Sequence, residues 1–268
     1  MSVAVPPLAF ITGASSGIGQ ALAARYAKQG WRLALVARRE QVLLEWARAL
    51  GLGEERCVAY AADVAEPSSI IAAAGACIAR QGLPDVVVAN AGISVGMDTA
   101  EREDLQVMQD TLALNVLGVA ATFHPFVAAM RARGSGRLVG VASMAALRGL
   151  PGHGAYCASK AGVVAYCESL RVECRGSGVA VVTLLPGYVA TPLTARNPYG
   201  MPFLISAEAF AERAVRAIAA GVSRRIIPWQ MALIAPLLRN LPNALFDRLL
   251  AGKKRKPRRS ASPDAGGA

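Results

Sequence analysis

The chain contains 268 residues, 54% of them hydrophobic and 18% charged, and its formal net charge is +11. This length and apolar content predict one domain with a large core and leave no need for a second domain. The five cysteines are scattered without Cys-x-x-Cys spacing or Cys/His clustering, which argues against a metal site and disulfides and fits a reducing cytoplasm. Because residues 1–11 lack a basic n-region and supply the first predicted strand, a signal peptide is not expected.

The first elements in chain order predict a phosphate-binding loop. The apolar run Leu8–Ile11 leads into Thr12–Gly19, which reads Thr-Gly-Ala-Ser-Ser-Gly-Ile-Gly, and then into a helical pattern over Gln20–Gln29. In this order, glycines let backbone N–H groups approach a pyrophosphate, and the positive end of the helix dipole favours its charge. The spacing Gly-x-x-x-Gly-x-Gly departs from the commoner Gly-x-Gly-x-x-Gly, so the flanking elements rather than the spacing support the prediction.

The second predicted strand, Arg32–Ala37, is followed by Arg38 and Arg39. An NAD site usually places an acidic side chain there, about twenty residues after the glycines, to accept hydrogen bonds from the ribose. That carboxylate is missing, and two guanidinium groups are available for a 2′-phosphate, so the sequence predicts NADP(H). The alternative is that both arginines open a solvated helix.

Further apolar runs continue the alternation of strands and helices. Strands are predicted at Cys57–Ala62, Val86–Ala89, Arg137–Ala142, Val179–Leu184 and Arg225–Pro228, with helical patterns at residues 70–85, 101–131, 155–176 and 206–221. This alternation predicts an α/β fold, a Rossmann-like doubly wound parallel sheet of about seven strands with helices on both faces.

Asn115, Ser143, Tyr156 and Lys160 together predict a carbonyl-reducing site. If their segment is helical, Tyr156 and Lys160 share a face, and the ammonium lowers the phenol pKa from about 10 toward the range useful for acid–base catalysis. Ser143 follows a predicted strand, at the sheet edge where ligands bind, so its hydroxyl and that of Tyr156 can converge on one carbonyl oxygen. Taken singly, a Tyr-x-x-x-Lys pair is usually a solvated helix face and a loop serine is usually a cap. The combination favours catalysis.

These motifs resemble, in order and spacing, those of the single-domain branch of the short-chain dehydrogenase/reductase family. The matching parts are Thr12–Gly19, Asn90-Ala91-Gly92, Asn115, Ser143, the Tyr156/Lys160 pair, and Pro186-Gly187 followed by Thr191. The resemblance implies that Tyr156 donates or accepts the proton and that Ser143 orients the substrate carbonyl. It also implies that Lys160 bonds the nicotinamide ribose and lowers the Tyr156 pKa, while Asn115 holds a proton-relay water.

The resemblance further implies which residues contact the cofactor and the substrate. The implied cofactor contacts are Gly13, Ser15, Ser16, Gly17, Ile18, Gly19, Arg38, Arg39, Asp63, Val64, Asn90, Ala91, Gly92, Tyr156, Lys160, Pro186, Gly187, Val189 and Thr191. Asp63 would bind the adenine amino group, with a loop aspartate capping the next helix as the alternative. The expected substrate contacts are Ser143, Ala145, Leu147, His153, Tyr156 and Tyr188, with a loop role as the alternative for His153. Leu150 and the Thr191–Ile205 segment are also expected to line the cleft, and because its side chains are mostly uncharged, the expected substrate is apolar.

The chain continues beyond its last predicted strand. Trp229–Leu250 is strongly apolar but interrupted by prolines and charges, and six of the seven residues in Lys253–Arg259 are basic. The pattern disfavours a transmembrane helix and favours two short helices, broken at proline, lying with the basic run on an anionic membrane surface. The alternatives are a flap over the substrate cleft or a subunit interface, followed by a disordered tail. Because the basic run lacks interleaved aromatics, nucleic acid is not an expected partner.

The sequence therefore predicts three segments: an NADP(H)-binding catalytic domain over residues 1–228, an apolar extension over 229–252, and a basic, disordered tail over 253–268. The predicted function is NADP(H)-dependent interconversion of a ketone or aldehyde and an alcohol on a small or lipid-like substrate. The alternative is a nucleotide-binding regulator or scaffold without turnover. The protein is expected to be a homodimer or homotetramer in the cytoplasm, with peripheral contact at the inner membrane face.

Overall fold

A computed structural model describes residues 5–195 and 197–259. Its strands are β1 (Leu8–Thr12), β2 (Arg32–Ala37), β3 (Cys57–Ala61), β4 (Val86–Ala89), β5 (Gly136–Val141), β6 (Val179–Pro186), β7 (Val189–Ala190), β8 (Ile205–Ser206) and β9 (Arg224–Ile227). Its α-helices are α1 (Gly17–Lys28), α2 (Glu40–Ala49), α3 (Pro67–Gln81), α4 (Asp104–Leu112), α5 (Gly118–Arg133), α6 (Gly154–Glu173), α7 (Pro192–Ala195), α8 (Ala207–Ala219), α9 (Trp229–Asn240) and α10 (Asn243–Leu250). A π-helical turn spans Ala113–Leu117, and a 3₁₀ turn spans Met144–Ala146.

Seven strands form one parallel sheet in the order β3-β2-β1-β4-β5-β6-β9, and β7 pairs with β8 separately. Both faces of the sheet are covered, with α1, α2 and α8 on one face and α3, α5 and α6 on the other, so its strands are mostly apolar runs. The edge strand β9 differs, because it begins with two exposed arginines. The predicted fold class is confirmed, and each predicted strand agrees within two residues at either end.

The sheet topology brings the predicted binding residues to one edge. β1 pairs with β2 on one side and with β4 on the other, so the strand order reverses at β1. Doubly wound sheets bind ligands outside the carboxyl ends of the strands at such a point. The glycine loop after β1, the turn Asn90–Gly92 after β4, and Ser143 after β5 all leave the sheet at this edge.

The segment predicted as one helix over residues 101–131 is helical from Asp104 to Arg133 but adopts π-helical geometry at Ala113–Leu117. An 18-residue window of this run has a mean hydropathy of 1.6, so the helix is long and apolar enough to cross a membrane. Phe123, Phe126 and Met130 are fully buried in the core on one face of the sheet. These contacts show that the run packs as a core helix of the domain.

The apolar extension forms two helices, α9 and α10, and they are separated at a proline, as the sequence predicted. Helix α9 passes through Pro236 and ends at Asn240, and Leu241 is extended (φ −62°, ψ 128°). The proline that interrupts the helices is therefore Pro242, because a residue before proline is pushed out of the α region.

The structure also differs from the predicted disorder over Lys253–Arg259, named here the basic strap. Three of its arginines form ion pairs with Asp98, Glu101, Asp104 and Asp110 of the domain. Composition alone predicted disorder because it does not show that a complementary acidic surface folds beside the strap. The rest of the predicted tail, residues 260–268, lies outside the described residues.

Candidate functional site

The glycine loop is held in a conformation that excludes side chains at two positions. Gly13 has φ +63°, and a Cβ added at Gly19 would lie 2.2 Å from the carbonyl oxygen of Gly13. Asn90 fastens the loop from β4, because its Nδ2 donates to the carbonyl oxygens of Thr12 at 3.0 Å and Gly13 at 3.3 Å. Its backbone N–H and that of Ala91 donate to the Thr12 hydroxyl. Asn90 and Ala91 thus support the loop directly.

The N-terminus of α1 suits a pyrophosphate. Its cap, Ser16, makes no side-chain capping hydrogen bond, and its first turn contains no acidic residue. The N–H groups of Gly17, Ile18 and Gly19 have no partner within the helix, so they can donate to an anion. Ser15 lies in the same loop, where its carbonyl accepts from the Gln20 side chain. The residues present therefore fit the diphosphate of a dinucleotide.

Arg38 and Arg39 emerge beside this loop. They follow β2, whose Val36 carbonyl accepts the Ala14 N–H at 3.2 Å, and both side chains are exposed. Within residues 5–195 and 197–259, neither guanidinium forms an ion pair or a side-chain hydrogen bond. Arg39 is also the N-cap residue of α2. The same residue can therefore stand at the start of a helix and contact a phosphate.

On the adenine side, Asp63 and Val64 follow β3. One Asp63 carboxylate oxygen accepts the Ala65 N–H at 3.0 Å, which stabilises the turn before α3. Val64 is buried, and its carbonyl oxygen would lie 2.6 Å from a Cβ added at Gly118, so it packs closely against α5. The turn role of Asp63 leaves its second carboxylate oxygen available to a ligand.

Asn115 lies in the π-helical turn, fully buried. Its Nδ2 donates to the Ile93 carbonyl and to the Ser159 hydroxyl, both at 2.9 Å, and its Oδ1 accepts the Ile93 N–H. Both N–H groups of the side-chain amide therefore already have acceptors in the protein. A relay water would have to be held by another group. Ser159, which joins Asn115 to α6, was missed by the sequence reasoning because a serine inside a helix has no distinctive local pattern.

Lys160 lies beneath the cofactor edge of the cleft. Its Nζ donates to the Val141 carbonyl at 2.9 Å, and burial lowers its pKa from 10.5 to about 8. The same Nζ would lie 3.4 Å from a Cβ added at Gly92 and is 5.8 Å from the centre of the Tyr156 ring. Gly92 therefore leaves the space in front of the ammonium open.

The Tyr156 pKa differs from the sequence prediction. Burial raises it, while a hydrogen bond with Ser143 opposes the increase. The loss of solvation on burial is the dominant effect and outweighs the lowering expected from Lys160, whose ammonium lies over the ring, 5.8 Å from its centre. Ser143 also caps the 3₁₀ turn, since its hydroxyl accepts the Ala145 N–H at 3.1 Å.

The end of β6 forms the remaining wall of the cofactor edge. Pro186 and Gly187 border the substrate cavity, and a Cβ at Gly187 would lie 3.0 Å from Met231 of α9. Val189 is buried in β7, and Thr191 lies 3.2 Å from the Cβ position of Gly17 in the glycine loop. These residues therefore link the cofactor loop with the extension.

One cavity contains the predicted catalytic pair. Ser143 and Tyr156 border it together with the predicted substrate residues Ala145, Leu147, His153 and Tyr188. Its roof comes from Met231 and Leu238 of α9, Phe246 of α10, Lys256 of the basic strap, and Tyr199. The extension thus covers the cleft, which was one of its predicted alternatives.

His153 is buried at this cavity. Its Nε2 lies 3.3 Å from the Tyr199 hydroxyl, and burial, followed by the charge of Lys256, lowers its pKa to about 4. His153 is therefore neutral at physiological pH and can share a hydrogen bond without adding charge. His153 is thus both the N-cap residue of α6 and a part of the cleft wall.

The fold and this site together define a nucleotide-binding oxidoreductase, and comparison with known proteins agrees. The family model described as short chain dehydrogenase matches residues 7–200. A relative from Myxococcus xanthus (strain DK1622), described as an uncharacterized oxidoreductase, is 40% identical over 242 residues, which cover 89% of this chain and 94% of the relative. The chain belongs to the short-chain dehydrogenase/reductase family.

Solved structures of related enzymes show the same fold. L-sorbose reductase from Gluconobacter frateurii, complexed with NADPH and L-sorbose, superposes with a TM-score of 0.74 at 28% identity, covering 85% of this chain and 97% of that one. The 3-ketoacyl-(acyl-carrier-protein) reductase from Brucella melitensis, complexed with NADH, has a TM-score of 0.74 at 28% identity, covering 84% and 98%. These neighbours support a nicotinamide cofactor and differ in which one they hold.

Proposed function

We propose that this chain is an NADP(H)-dependent oxidoreductase that interconverts a ketone or aldehyde and an alcohol on a small or lipid-like substrate, with Tyr156 as the general acid–base. The observation that carries the proposal is that Ser143 and Tyr156 border one largely apolar cavity beside the cofactor edge of the sheet. Two hydroxyl groups on one wall can bind the same carbonyl oxygen as negative charge develops on it.

The chemistry follows from these groups. The nicotinamide supplies or accepts the hydride. In reduction, the Tyr156 hydroxyl gives its proton to the carbonyl oxygen, and Ser143 holds that oxygen by a hydrogen bond. Burial raises the Tyr156 pKa, so the phenol is protonated at neutral pH and carries the proton that reduction requires. Lys160 stabilises the phenolate that remains until solvent returns a proton.

NADP(H) is favoured over NAD(H) by charge. A 2′-phosphate beside the end of β2 would meet two exposed arginines, Arg38 and Arg39, that have no partner in the described part of the chain. An acidic ribose partner is absent at position 37, where β2 ends in alanine. Guanidinium groups bind phosphate through paired, charge-assisted hydrogen bonds.

Replacing Tyr156 by Phe tests the proposal. The ring is retained, so NADPH binding, measured by fluorescence, should change little, while reduction of a panel of ketones and aldehydes should fall at least about tenfold, which corresponds to ~1.4 kcal/mol of barrier. Tyr166→Phe removes the same hydroxyl from another tyrosine of α6, one that does not border the cavity, and serves as the control for altered packing. Turnover by the Tyr156 variant close to the wild-type rate would contradict the assignment of the proton donor.

A regulator or scaffold without turnover is the second candidate, and the site disfavours it. All four residues of the set are retained: Ser143 and Tyr156 border one cavity, and the buried Asn115 and Lys160 donate hydrogen bonds to the Ser159 hydroxyl and the Val141 carbonyl. A scaffold has no need of a buried ammonium, which destabilises the fold. A wild-type chain that binds NADPH but reduces no carbonyl in the panel would favour the scaffold.

We also propose peripheral contact with the inner face of the cytoplasmic membrane through the extension. Trp229, Leu233 and Leu237 follow one another at helical spacing on α9 and are 64%, 69% and 65% exposed, and Leu245 and Leu249 of α10 are each 55% exposed. Each helix carries one exposed arginine, Arg239 on α9 and Arg248 on α10, and the exposed Lys253 and Lys254 follow α10. Apolar faces flanked by cations suit an anionic lipid surface.

A separate apolar face supports the proposed homodimer or homotetramer. On α4 and the π-helical turn, Leu105 is 56% and Leu117 51% exposed. We expect a second copy to cover this face, because Leu112, two turns after Leu105 on α4, is also 38% exposed, so the exposed leucines are not isolated. Sedimentation velocity of the wild type and of Leu105→Glu decides it: a monomer in both cases would contradict the proposal.

A further inference from the structure

The basic strap lies along the mouth of the substrate cleft. Arg258 pairs with Asp104 at 2.6 Å and Arg259 with Asp110 at 2.8 Å, both on α4, and Arg255 lies 3.4 Å from Asp98. The Arg258 hydrogen bond holds the pKa of Asp104 below its usual range. These pairs place the strap on the acidic side of the cleft, with its arginines directed at the domain surface.

The backbone on which the strap lies is shaped for it. The Gly96 N–H donates to the Pro257 carbonyl at 3.1 Å, and Gly96 and Arg258 form a parallel β-bridge. A Cβ added at Gly96 would lie 2.2 Å from the Lys256 carbonyl oxygen, and one at Gly152 would lie 3.0 Å from the Arg255 Cβ. Two glycines therefore provide the close approach, so the strap is positioned by backbone contacts as well as by charge.

Lys256 differs from the strap arginines, because it is directed into the cleft. It borders the cavity shared by Ser143 and Tyr156, and its Nζ lies 3.0 Å from the Ser94 hydroxyl. It forms no ion pair within the described residues, and the cavity wall there contains no aspartate or glutamate. Partial burial lowers the Lys256 pKa.

Other polar groups of the cavity leave this ammonium without a neutralising partner. Arg148 donates to the Leu238 carbonyl at 3.0 Å and to Asn243 at 2.7 Å, so its guanidinium is already used by the extension. His153 is neutral at physiological pH. A half-buried cation with a hydroxyl as its one described partner is stabilised by an anion brought in from outside.

We infer that Lys256 binds an anionic group, in the simplest case a carboxylate, at the end of the substrate remote from the reacting carbonyl. The inference rests on the proposed carbonyl–alcohol chemistry and narrows its substrate class from apolar compounds to amphipathic ones, with an apolar body and one negative charge. The apolar walls fit the body. A lysine is a point charge that does not demand the paired oxygens of a guanidinium site, so one carboxylate suffices.

The test compares oxo acids of increasing chain length with their methyl esters, using NADPH and the full-length chain. The wild type should prefer the acid at one range of lengths by about tenfold in kcat/KM, the order expected for one partly buried ion pair. Lys256→Met should remove this preference while retaining activity on the ester, and Lys256→Arg should keep part of it. Arg259→Met, which removes an exposed strap ion pair outside the cleft, is the matched control and should keep the preference.

Two results would overturn the inference. One is a wild type that shows no preference for the acid at any length; the other is a Lys256→Met variant that loses acid and ester activity equally, which would make Lys256 a structural anchor through Ser94. If no carbonyl is reduced at all, calorimetry with saturated alkyl carboxylates and the corresponding amides still decides the matter. Carboxylate binding that Lys256→Met abolishes would support the site although the proposed reaction had failed, and equal binding of both ligands would refute it.

Discussion

Lys160→Met tests the energetic cost of the buried ammonium. Burial lowers the pKa of Lys160 from 10.5 to about 8. The charged form is therefore less stable in the folded chain than in the unfolded chain, by ~3 kcal/mol at pH 7. This cost is fully present below pH 8 and disappears as the pH rises from 8 to 10.5. The titration of Lys160 therefore makes the folded chain more stable as the pH rises through this range. At pH 10, ~1 kcal/mol of it remains.

Methionine removes the charge and preserves most of the side-chain volume. It also leaves the Val141 carbonyl, which Lys160 contacts at 2.9 Å, without its donor. That loss costs ~1–3 kcal/mol, so at pH 7 the two effects largely cancel. We expect the variant to be about as stable as the wild type at pH 7, to become less stable relative to it by ~2 kcal/mol at pH 10, and to have lost turnover.

The measurement is urea unfolding followed by tryptophan fluorescence at both pH values, for both chains. Lys28→Met, at an exposed position in α1, controls for the removal of one positive charge. The comparison of variant with wild type cancels the other groups that titrate in this range. A difference in unfolding free energy that is the same at pH 7 and pH 10 would refute the assignment of a buried, charged Lys160.

Three further predictions concern the cofactor, the glycine loop and the membrane. The wild type should favour NADPH over NADH by at least about tenfold in kcat/KM, and Arg38→Ala should reduce this ratio; an equally selective variant would place the phosphate elsewhere. Gly19→Ala should weaken NADPH binding and cost ~1–3 kcal/mol of unfolding free energy, because its Cβ meets the Gly13 carbonyl at 2.2 Å, whereas Gly75→Ala, in α3 with nothing within 4 Å, should stabilise by ~0.5–1 kcal/mol. If urea unfolding finds Gly19→Ala as stable as Gly75→Ala, the glycine loop is not tightly packed at Gly19. A chain ending at Gly252 should cosediment with anionic vesicles less than the full chain, and high salt should bring the two together; a full chain that stays in the supernatant at low salt would refute membrane contact.

The sequence determined the sheet, the glycine loop and the set of residues at the cleft. Seven continuous apolar runs alternating with helical patterns leave a parallel doubly wound sheet as the economical solution, and the topology of such a sheet then brings the ends of β1, β4, β5 and β6 to one edge. Ser143 follows β5 and Tyr156 lies on α6. Because the sheet fixes the positions of both elements, the two side chains border the same cavity.

Only the tertiary structure decided how the C-terminus is used. Lys256 reaches Ser94, and the Gly96 N–H reaches the Pro257 carbonyl, across more than half of the chain. No periodicity or spacing encodes such a contact, because it depends on where α9 and α10 end after packing on the cleft. Composition therefore predicted a disordered basic tail, while the acidic residues on and beside α4 and the open backbone at Gly96 place its first residues over the substrate site. The direction of the Tyr156 pKa shift was decided in the same way, since burial is a property of the packed site and not of a Tyr-x-x-x-Lys motif.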